Sequence, residues 1–220
     1  MNLQNTNKTL KLVLSVGDES GIGPEIILKA LCSPEIPENI DLLLVGSKKN
    51  LQNTYEHLRS LGLKNLANPK NLKIHDLEIS SSNNDPKSSY GNSSFYYLKK
   101  AIEIVKQYRN SALVTGPICK KSWSLAGHYF SGQTEVLAKL CGVKNVGMLF
   151  TAKSPITGWR LNTLLATTHI PLCEVPKQLT TKLIHSKLDL FKDFCNNYTD
   201  KPILRVAGLN PHAGEEGLLG

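Results

Sequence analysis

Short apolar runs alternate along this chain with segments in which apolar residues recur every three or four positions. Residues 10–16 and 41–46 are runs of the first kind, rich in Leu and Val, and they predict buried strands. Residues 25–31 and 48–61 have the second pattern and predict helices, the later of which ends at Gly62. Strands that alternate with helices in this way favour an α/β fold with a doubly wound sheet.

The alternation continues towards the end of the chain. We predict further strands at 72–79, 112–114, 145–151, 158–166 and 203–206, and further helices at 93–108, at 133–140 and within 175–196. Residues 79–94 interrupt the pattern, since ten of these sixteen positions are Ser or Asn and Pro86 and Gly91 break the remainder. We therefore predict a mobile loop there.

Basic residues outnumber acidic ones. The chain has 26 Lys and Arg against 18 Asp and Glu, a formal net charge of +8 that favours an anionic partner. Because the basic residues are dispersed, with no run of five or more, nucleic acid is not the expected partner. A small anionic substrate with its cofactor is the alternative that this distribution leaves.

The remaining composition indicates where such a protein would work. No apolar stretch approaches the roughly 18 to 20 residues of a membrane span, so no membrane partner is expected. The five cysteines are widely spaced and form no Cys-x-x-Cys pair, which argues against a disulfide framework or a zinc knuckle. Residues 1–8 are polar and lack the apolar core of a secretory signal. These features predict a cytoplasmic protein.

Candidate chemistry lies on four turns that follow predicted strands, because ligands of open α/β sheets bind beyond the carboxyl ends of the strands. These turns are 17–23, 115–121, 167–171 and 208–217. His169 and His212 lie on the last two, and they could share a divalent cation, since neutral imidazole is a common metal ligand. They could equally be two unrelated loop histidines, because spacing in the sequence does not show that they meet.

Two further segments could bind an anion. Gly21 and Gly23 would let backbone N–H groups approach a phosphate at a helix N-terminus, although they match neither the dinucleotide fingerprint nor a Walker loop. A tight turn that needs glycine is the alternative. Gln133 and Thr134 open a predicted helix and offer an amide and a hydroxyl to an anionic substrate, or they form a helix cap without a ligand.

Five segments that could carry chemistry follow one another along the chain: Gly17-Asp18-Glu19-Ser20-Gly21-Ile22-Gly23-Pro24-Glu25, Thr115-Gly116-Pro117-x-x-Lys120, Gly132-Gln133-Thr134-Glu135, Ala166-Thr167-Thr168-His169-Ile170-Pro171-Leu172 and Gly208-Leu209-Asn210-Pro211-His212-Ala213-Gly214-Glu215. Together and in this order, they resemble one family, the 4-hydroxythreonine-4-phosphate dehydrogenases of pyridoxal phosphate biosynthesis, or PdxA family. The resemblance favours a functional role for His169 and His212.

The resemblance implies a fold and a reaction. The implied fold is a two-lobed α/β/α architecture similar to isocitrate and isopropylmalate dehydrogenases, in subunits that pair as a homodimer. The implied cofactors are NAD or NADP and a divalent metal such as zinc, magnesium, manganese or cobalt. The implied reaction oxidises 4-phosphooxy-L-threonine to a β-keto acid, which loses carbon dioxide to form 3-amino-2-oxopropyl phosphate.

The resemblance also implies residue roles. It places His169 and His212 at two of the family's three metal-binding histidines, and Gln133 and Thr134 at its substrate contacts. Four more residues of the matched segments are expected to line the cleft: Gly21, Gly23, Lys120 and Asn210.

Two departures from the family pattern leave alternatives open. Gln133 stands where the family usually has His, and an amide carries no positive charge at neutral pH. The family's third metal histidine comes from the other subunit and lies in a C-terminal section, so residues 1–220 are expected to be the N-terminal portion of a catalytic unit. The alternatives are a dehydrogenase of another phosphorylated four-carbon hydroxy acid and a catalytically silent, truncated binding protein.

Overall fold

The protein is described by a computed structural model that covers residues 9–37, 39–79 and 85–219. The chain divides into two compact units, with the boundary between Cys141 and Gly142. None of the helices in the described part of the chain is long and apolar enough to cross a membrane.

Four parallel strands form the sheet of the first unit, in the order β3-β2-β1-β4. They are β1 (Leu10–Ser15), β2 (Ile40–Gly46), β3 (Ile74–Asp76) and β4 (Ser111–Thr115). Val13 of β1 pairs with Leu43 of β2 on one side and with Leu113 of β4 on the other. β1 is therefore an interior strand, as is β2, and both of its neighbours run in its own direction.

Among the described residues of the first unit, five α-helices accompany this sheet. They are α1 (Gly23–Ala30), α2 (Lys48–Ser60), α3 (Pro86–Val105), α4 (Lys120–Leu125) and α5 (Gln133–Cys141), and a 3₁₀ turn covers Pro69–Asn71. Pro24 lies in the first turn of α1, and the Ser47 side chain accepts a hydrogen bond from the Asn50 N–H at the start of α2. Leu28, Leu51 and Ala101, one from each of the first three helices, are fully buried in the core.

The strand order reverses next to β1. The chain moves outward from β1 through α1 and α2 to β3, and α3 then carries it back across the sheet to β4 on the other side of β1. Because parallel connections are right-handed, the two directions of travel place helices on opposite faces of the sheet. The predicted α/β fold with a doubly wound parallel sheet is confirmed.

The loop predicted at 79–94 is wrong for residues 86–94, which belong to α3; residues 80–84 lie outside the described part of the chain. Asp85 starts the helix by accepting a hydrogen bond from the Lys87 N–H at 3.0 Å. Gly91 lets α3 approach α4 so closely that an added Cβ would lie 2.0 Å from the Ser122 carbonyl oxygen. Small residues that are typical of loops here permit close helix packing, and tertiary contact overrides their low helix propensity.

The second unit contains one antiparallel hairpin and two helices. The strands are β5 (Leu149–Lys153) and β6 (Arg160–Leu164), and the helices are α6 (Val175–Gln178), preceded by a 3₁₀ turn at Leu172–Glu174, and α7 (Thr181–Cys195). The Thr180 side chain caps α7 by accepting from the Leu183 N–H at 3.2 Å. The long helix predicted within 175–196 is confirmed as α7, whereas both strands are shorter than predicted.

The strand predicted at 203–206 is wrong. Ile203 is 78% exposed and Val206 is 62% exposed, and these residues pair with no strand in the described part of the chain. Apolar residues in a short run predict a strand only where a neighbouring strand supplies hydrogen bonds and a surface to bury them. The turn at 208–217 therefore does not follow a strand, although it was predicted to do so.

Candidate active site

The strand reversal beside β1 places two of the predicted turns next to each other. In open α/β sheets a crevice forms where neighbouring connections leave in opposite directions, at the carboxyl ends of the strands. Here that position lies between β1 and β4, which are followed by residues 16–22 and 116–119. The first unit thus contains a candidate ligand-binding position of its own.

The two turns touch through backbone atoms. The Asp18 N–H donates to the Pro117 carbonyl at 2.8 Å, and the Gly116 N–H donates to the Ser15 carbonyl at 2.7 Å. A Cβ added to Gly17 would lie 2.3 Å from the Pro117 carbonyl oxygen, and φ at Gly17 is +79°. Glycine is therefore required at this position both by space and by backbone conformation.

Gly21 and Gly23 differ in what their surroundings demand. An added Cβ at Gly23 would lie 2.6 Å from the Val16 carbonyl oxygen, whereas at Gly21 it would make only ordinary contacts. The N–H groups of Ser20 and Gly21 are used inside the turn, where they bond to the side chain and the carbonyl of Asp18. These contacts support the tight-turn alternative for the segment.

Three predicted site residues come together beside the second of these turns. The Gln133 side-chain N–H donates to the Gly116 carbonyl at 3.1 Å, which ties the start of α5 to the turn after β4. Lys120 is exposed, and its Nζ lies close to Gly132, at 3.9 Å from the position that a Cβ would take on that glycine. Thr134, also exposed, follows Gln133 directly. The Gln133 amide thus contacts the turn after β4, and Lys120 and Thr134 lie next to it at the starts of α4 and α5.

Sequence reasoning missed a contact between the turn after β1 and the buried Tyr97 of α3. The Tyr97 hydroxyl donates to Oε1 of Glu19 at 2.6 Å, and Tyr97 is 1% exposed. Burial raises the pKa of Glu19, and the nearby Asp18 and Asp76 raise it further, against the hydrogen bonds from Tyr97 and the Ser47 N–H. No sequence signal linked Tyr97 to Glu19, since they are 78 positions apart.

The second unit carries both predicted metal ligands. His169 and His212 are exposed, and both have left-handed backbone conformations, with φ of +54° and +53°. Such conformations are uncommon outside glycine and are enriched at functional positions. Thr167 and Leu209, close to the two histidines in sequence, line the same cavity of about 500 Å³, so the two segments are neighbours within this unit.

Asn210, the remaining predicted cleft residue, lies at the start of the turn that carries His212. Its side chain donates to the Leu219 carbonyl at 2.5 Å and so closes that turn.

A complete metal site is not found among the described residues. Across the described ranges, no three His, Cys, Asp or Glu side chains are grouped in a way that could hold a metal ion. The two histidines supply imidazole nitrogens of the kind that divalent metals bind, and catalytic metal sites commonly use three protein ligands.

Comparison with known proteins shows what the chain is similar to. The family model described as "Pyridoxal phosphate biosynthetic protein PdxA" matches residues 38–220. A 4-hydroxythreonine-4-phosphate dehydrogenase of Synechococcus sp. (strain RCC307) is 47% identical over 212 residues, which cover 96% of this chain and 64% of that protein. The protein of the same name from Nostoc sp. (strain PCC 7120 / SAG 25.82 / UTEX 2576) is 46% identical, with 96% and 60% covered.

Solved structures agree on the fold. The crystal structure of 4-hydroxythreonine-4-phosphate dehydrogenase from Klebsiella pneumoniae superposes with a TM-score of 0.79 at 24% identity, covering 98% of this chain and 67% of that one. The protein of that name from Burkholderia phymatum gives a TM-score of 0.75, also at 24% identity, with 97% and 66% covered. The chain spans 60–64% of the length of the first curated relatives that it matches.

Proposed function

Since this chain belongs to the family of the pyridoxal phosphate biosynthetic protein PdxA, we propose that it acts as a 4-hydroxythreonine-4-phosphate dehydrogenase in pyridoxal phosphate biosynthesis. The observation that carries the proposal is the 47% identity over 96% of the chain to a relative of that name. The contact between Gln133 and Gly116 at the reversal of the sheet supports it, because it brings predicted substrate contacts to the position where α/β sheets bind ligands.

The proposed reaction has two steps. The secondary alcohol of 4-phosphooxy-L-threonine loses a hydride to NAD or NADP and a proton to a base, which gives a β-keto acid. The carbon–carbon bond to the carboxylate then breaks, carbon dioxide leaves, and protonation of the resulting enolate gives 3-amino-2-oxopropyl phosphate.

The first unit is proposed to bind the substrate. Lys120 attracts an anionic group of the substrate, and Thr134 donates a hydroxyl hydrogen bond to it. Gln133 is held by the Gly116 carbonyl through one of its N–H groups, so its orientation is set before the substrate arrives. Because Gln133 and Thr134 are uncharged, Lys120 supplies the electrostatic attraction among these three residues.

The second unit is proposed to bind the metal. His169 and His212 would hold a divalent cation such as zinc, magnesium, manganese or cobalt, together with a third ligand from a second subunit of a homodimer. The chemistry that such a cation would supply when bound is Lewis-acid polarisation of the substrate oxygen, which would favour negative charge there during decarboxylation. Asn210 contributes by keeping the turn around His212 closed. A cytoplasmic location completes the proposal, and the formal charge of +8 suits anionic substrates and cofactors.

A direct assay tests the function. The purified protein is mixed with 4-phosphooxy-L-threonine, a divalent cation, and NAD or NADP, and reduction of the nicotinamide is followed by absorbance. We expect reduction that depends on the substrate, stops on chelation and returns when cation is added. Failure to reduce either cofactor, while binding of the substrate is detected by calorimetry, would contradict the proposal. Lys120→Met should raise KM, whereas Lys121→Met is the matched control on the neighbouring position.

Gln133 favours a second candidate, a dehydrogenase of another phosphorylated four-carbon hydroxy acid. An amide in place of the family's usual His removes a group that can carry a positive charge, and this changes what the site can neutralise. The same assay with a phosphorylated four-carbon sugar acid distinguishes the two substrates. A higher kcat/KM for the sugar acid would favour this second candidate.

A further inference from the structure

The buried hydroxyl of Tyr97 reaches across the first unit to the turn after β1. Tyr97 belongs to α3, which packs against β1, β2 and β4, and it is 1% exposed. Its hydroxyl donates to Oε1 of Glu19 at 2.6 Å. A charge-assisted hydrogen bond of this length is among the stronger polar contacts in proteins. Its partner is a residue of the turn itself, so the bond connects the helix layer to the candidate site.

Groups from every neighbouring element surround the Glu19 carboxylate. Asp18 comes from the same turn, the Ser47 N–H from the start of α2, Asp76 from the end of β3 and Tyr97 from α3, with the Ser93 hydroxyl bonded to Tyr97. Within the described ranges, no Lys, Arg or His side chain forms an ion pair with Glu19. The Tyr97 hydroxyl is therefore a principal partner of a half-buried carboxylate that forms no ion pair with another described residue.

A short series of contacts leads from Glu19 to Gln133. Asp18, next to Glu19, donates its N–H to the Pro117 carbonyl at 2.8 Å. Gly116, next to Pro117, accepts the Gln133 side chain at 3.1 Å. The two turns also lack free space, because an added Cβ at Gly116 would lie 2.2 Å from the Val16 carbonyl oxygen. A displacement of the turn after β1 must therefore move the Gly116 carbonyl.

We propose that Tyr97 is a positioning residue that acts through Glu19 to hold the turn after β1, and thereby sets the position of the Gly116 carbonyl and of Gln133. Tyr97 has no contact with substrate in this scheme. The part of the proposal that concerns substrate affinity rests on the proposed function, whereas the part that concerns the turn does not.

Hydrogen exchange and kinetics of Tyr97→Phe test the two parts. The substitution removes only the hydroxyl, so we expect the Asp18 amide to exchange roughly tenfold faster, as for a lost hydrogen bond to a charged group. We expect KM for 4-phosphooxy-L-threonine to rise several-fold while kcat changes less than about twofold, because a displaced Gln133 weakens uniform binding. Tyr96→Phe, the adjacent and partly exposed tyrosine of α3, should change neither quantity.

Variants of Glu19 keep the proposal testable if Tyr97→Phe folds poorly. Glu19→Gln retains an acceptor for the Tyr97 hydroxyl, so KM and Asp18 exchange should remain within about twofold of the unmodified protein. Glu19→Ala removes the acceptor without altering α3 and should reproduce the Tyr97→Phe values. In the double variant Tyr97→Phe/Glu19→Ala, the two effects should not add, because both substitutions break the same bond.

The outcomes separate the two proposals. Equal Asp18 exchange in Tyr97→Phe and Tyr96→Phe, or additive effects in the double variant, overturns the positioning role. Faster exchange of the Asp18 amide with an unchanged KM would show that Tyr97 holds the turn after β1, and would overturn its proposed effect on the position of Gln133. If the unmodified protein reduces neither nicotinamide cofactor, the proposed function fails, and the exchange measurement still decides whether Tyr97 holds the turn.

Discussion

The two units of this chain differ most in how much they bury. In the first unit, residues from β1, β2 and three helices form a core in which Val13, Leu28, Leu44 and Leu51 are fully buried. In the described part of the second unit, only Cys195 and Gly214 are buried. The hairpin of β5 and β6 exposes Phe150 and Leu161.

This difference bears on the candidate residues of each unit. Gln133 and Lys120 lie beside the turns after β1 and β4, which extend from the sheet of the first unit. His169 and His212 lie instead on exposed segments of the second unit with left-handed backbone. The candidate residues of the first unit thus lie next to a buried core, whereas those of the second unit lie among less buried contacts.

The largest effect is expected at Gly17. Gly17→Ala places a Cβ 2.3 Å from the Pro117 carbonyl oxygen and imposes a side chain at a φ of +79°. We expect the free energy of unfolding to fall by about 3–5 kcal/mol, since overpacking and backbone strain both act. Urea denaturation of the purified protein measures it.

Gly62→Ala is the matched control for the steric part of this effect. Gly62 also has positive φ, at +88°, but a Cβ there would meet nothing within 4 Å. Gly62→Ala should therefore lower the free energy of unfolding only by the strain of a left-handed alanine, about 1–2 kcal/mol. Equal losses in the two variants would show that the contact between the turns is not close-packed.

The contrast in burial predicts unequal costs for truncating apolar side chains. Leu44→Ala leaves a cavity at a fully buried position of the first unit and should lower the free energy of unfolding by about 2–5 kcal/mol. Phe150→Ala removes a side chain of the second unit that is 57% exposed, and should change it by less than about 1 kcal/mol. Denaturant titration with probes in each unit checks this, and a comparable loss for Phe150→Ala would mean that the hairpin face is covered in solution.

The exposed histidines should affect ligand affinity more than stability. His169→Ala or His212→Ala should weaken cobalt or zinc binding by at least roughly a hundredfold, because loss of a direct ligand exceeds the effect of an outer partner. The melting temperature without metal should stay nearly unchanged, since both side chains are exposed. Isothermal titration calorimetry measures the affinity, with His57→Ala as the control. Unaltered binding in both variants would remove these residues from the metal proposal.

The smallest effect concerns a surface carboxylate of the first unit. Asp41 pairs with Lys11 at 2.8 Å and with Lys73 at 2.7 Å, and these hydrogen bonds lower its pKa from 3.8 to about 2. A lowered pKa in the folded state stabilises the protein above the unfolded value, and this contribution is lost as the pH falls from 3.8 through about 2. Asp41→Asn should cost less than about 1 kcal/mol at pH 7, because the pair is solvent-accessible.

Glu19 should affect the pH dependence of folding stability in the opposite direction to Asp41. Because burial raises the pKa of Glu19 above 4.5, Glu19 takes up a proton more readily in the folded than in the unfolded state, and the stability that this contributes is lost as the pH rises above 4.5 through the raised pKa. Glu19→Gln should therefore reduce the pH dependence of unfolding on that side, while Asp41→Asn reduces it on the acid side. Thermal unfolding over the acid range compares the two, and parallel curves for both variants would contradict the assignment.

Much of the first unit could be predicted from the sequence because its signals are local. The apolar runs at 10–16 and 41–46, the proline at the start of α1 and the glycine after α2 act within a few residues, and the strands and helices lie close to where they predict. The start of α3 could not be predicted, because residues 86–94 are helical through their packing against α4. The prediction of a strand at 203–206 was wrong for the converse reason. These residues have an apolar pattern, but no strand in the described part of the chain pairs with them.

The sequence by itself determined the α/β class and the family, because both depend on residue type and order. Only the tertiary structure decided that Gln133 bonds to Gly116 and that Tyr97 bonds to Glu19. These contacts join residues 17 and 78 positions apart. Such pairs form only when a sheet brings distant turns to one edge, and the strand order that does so follows from packing of the whole unit.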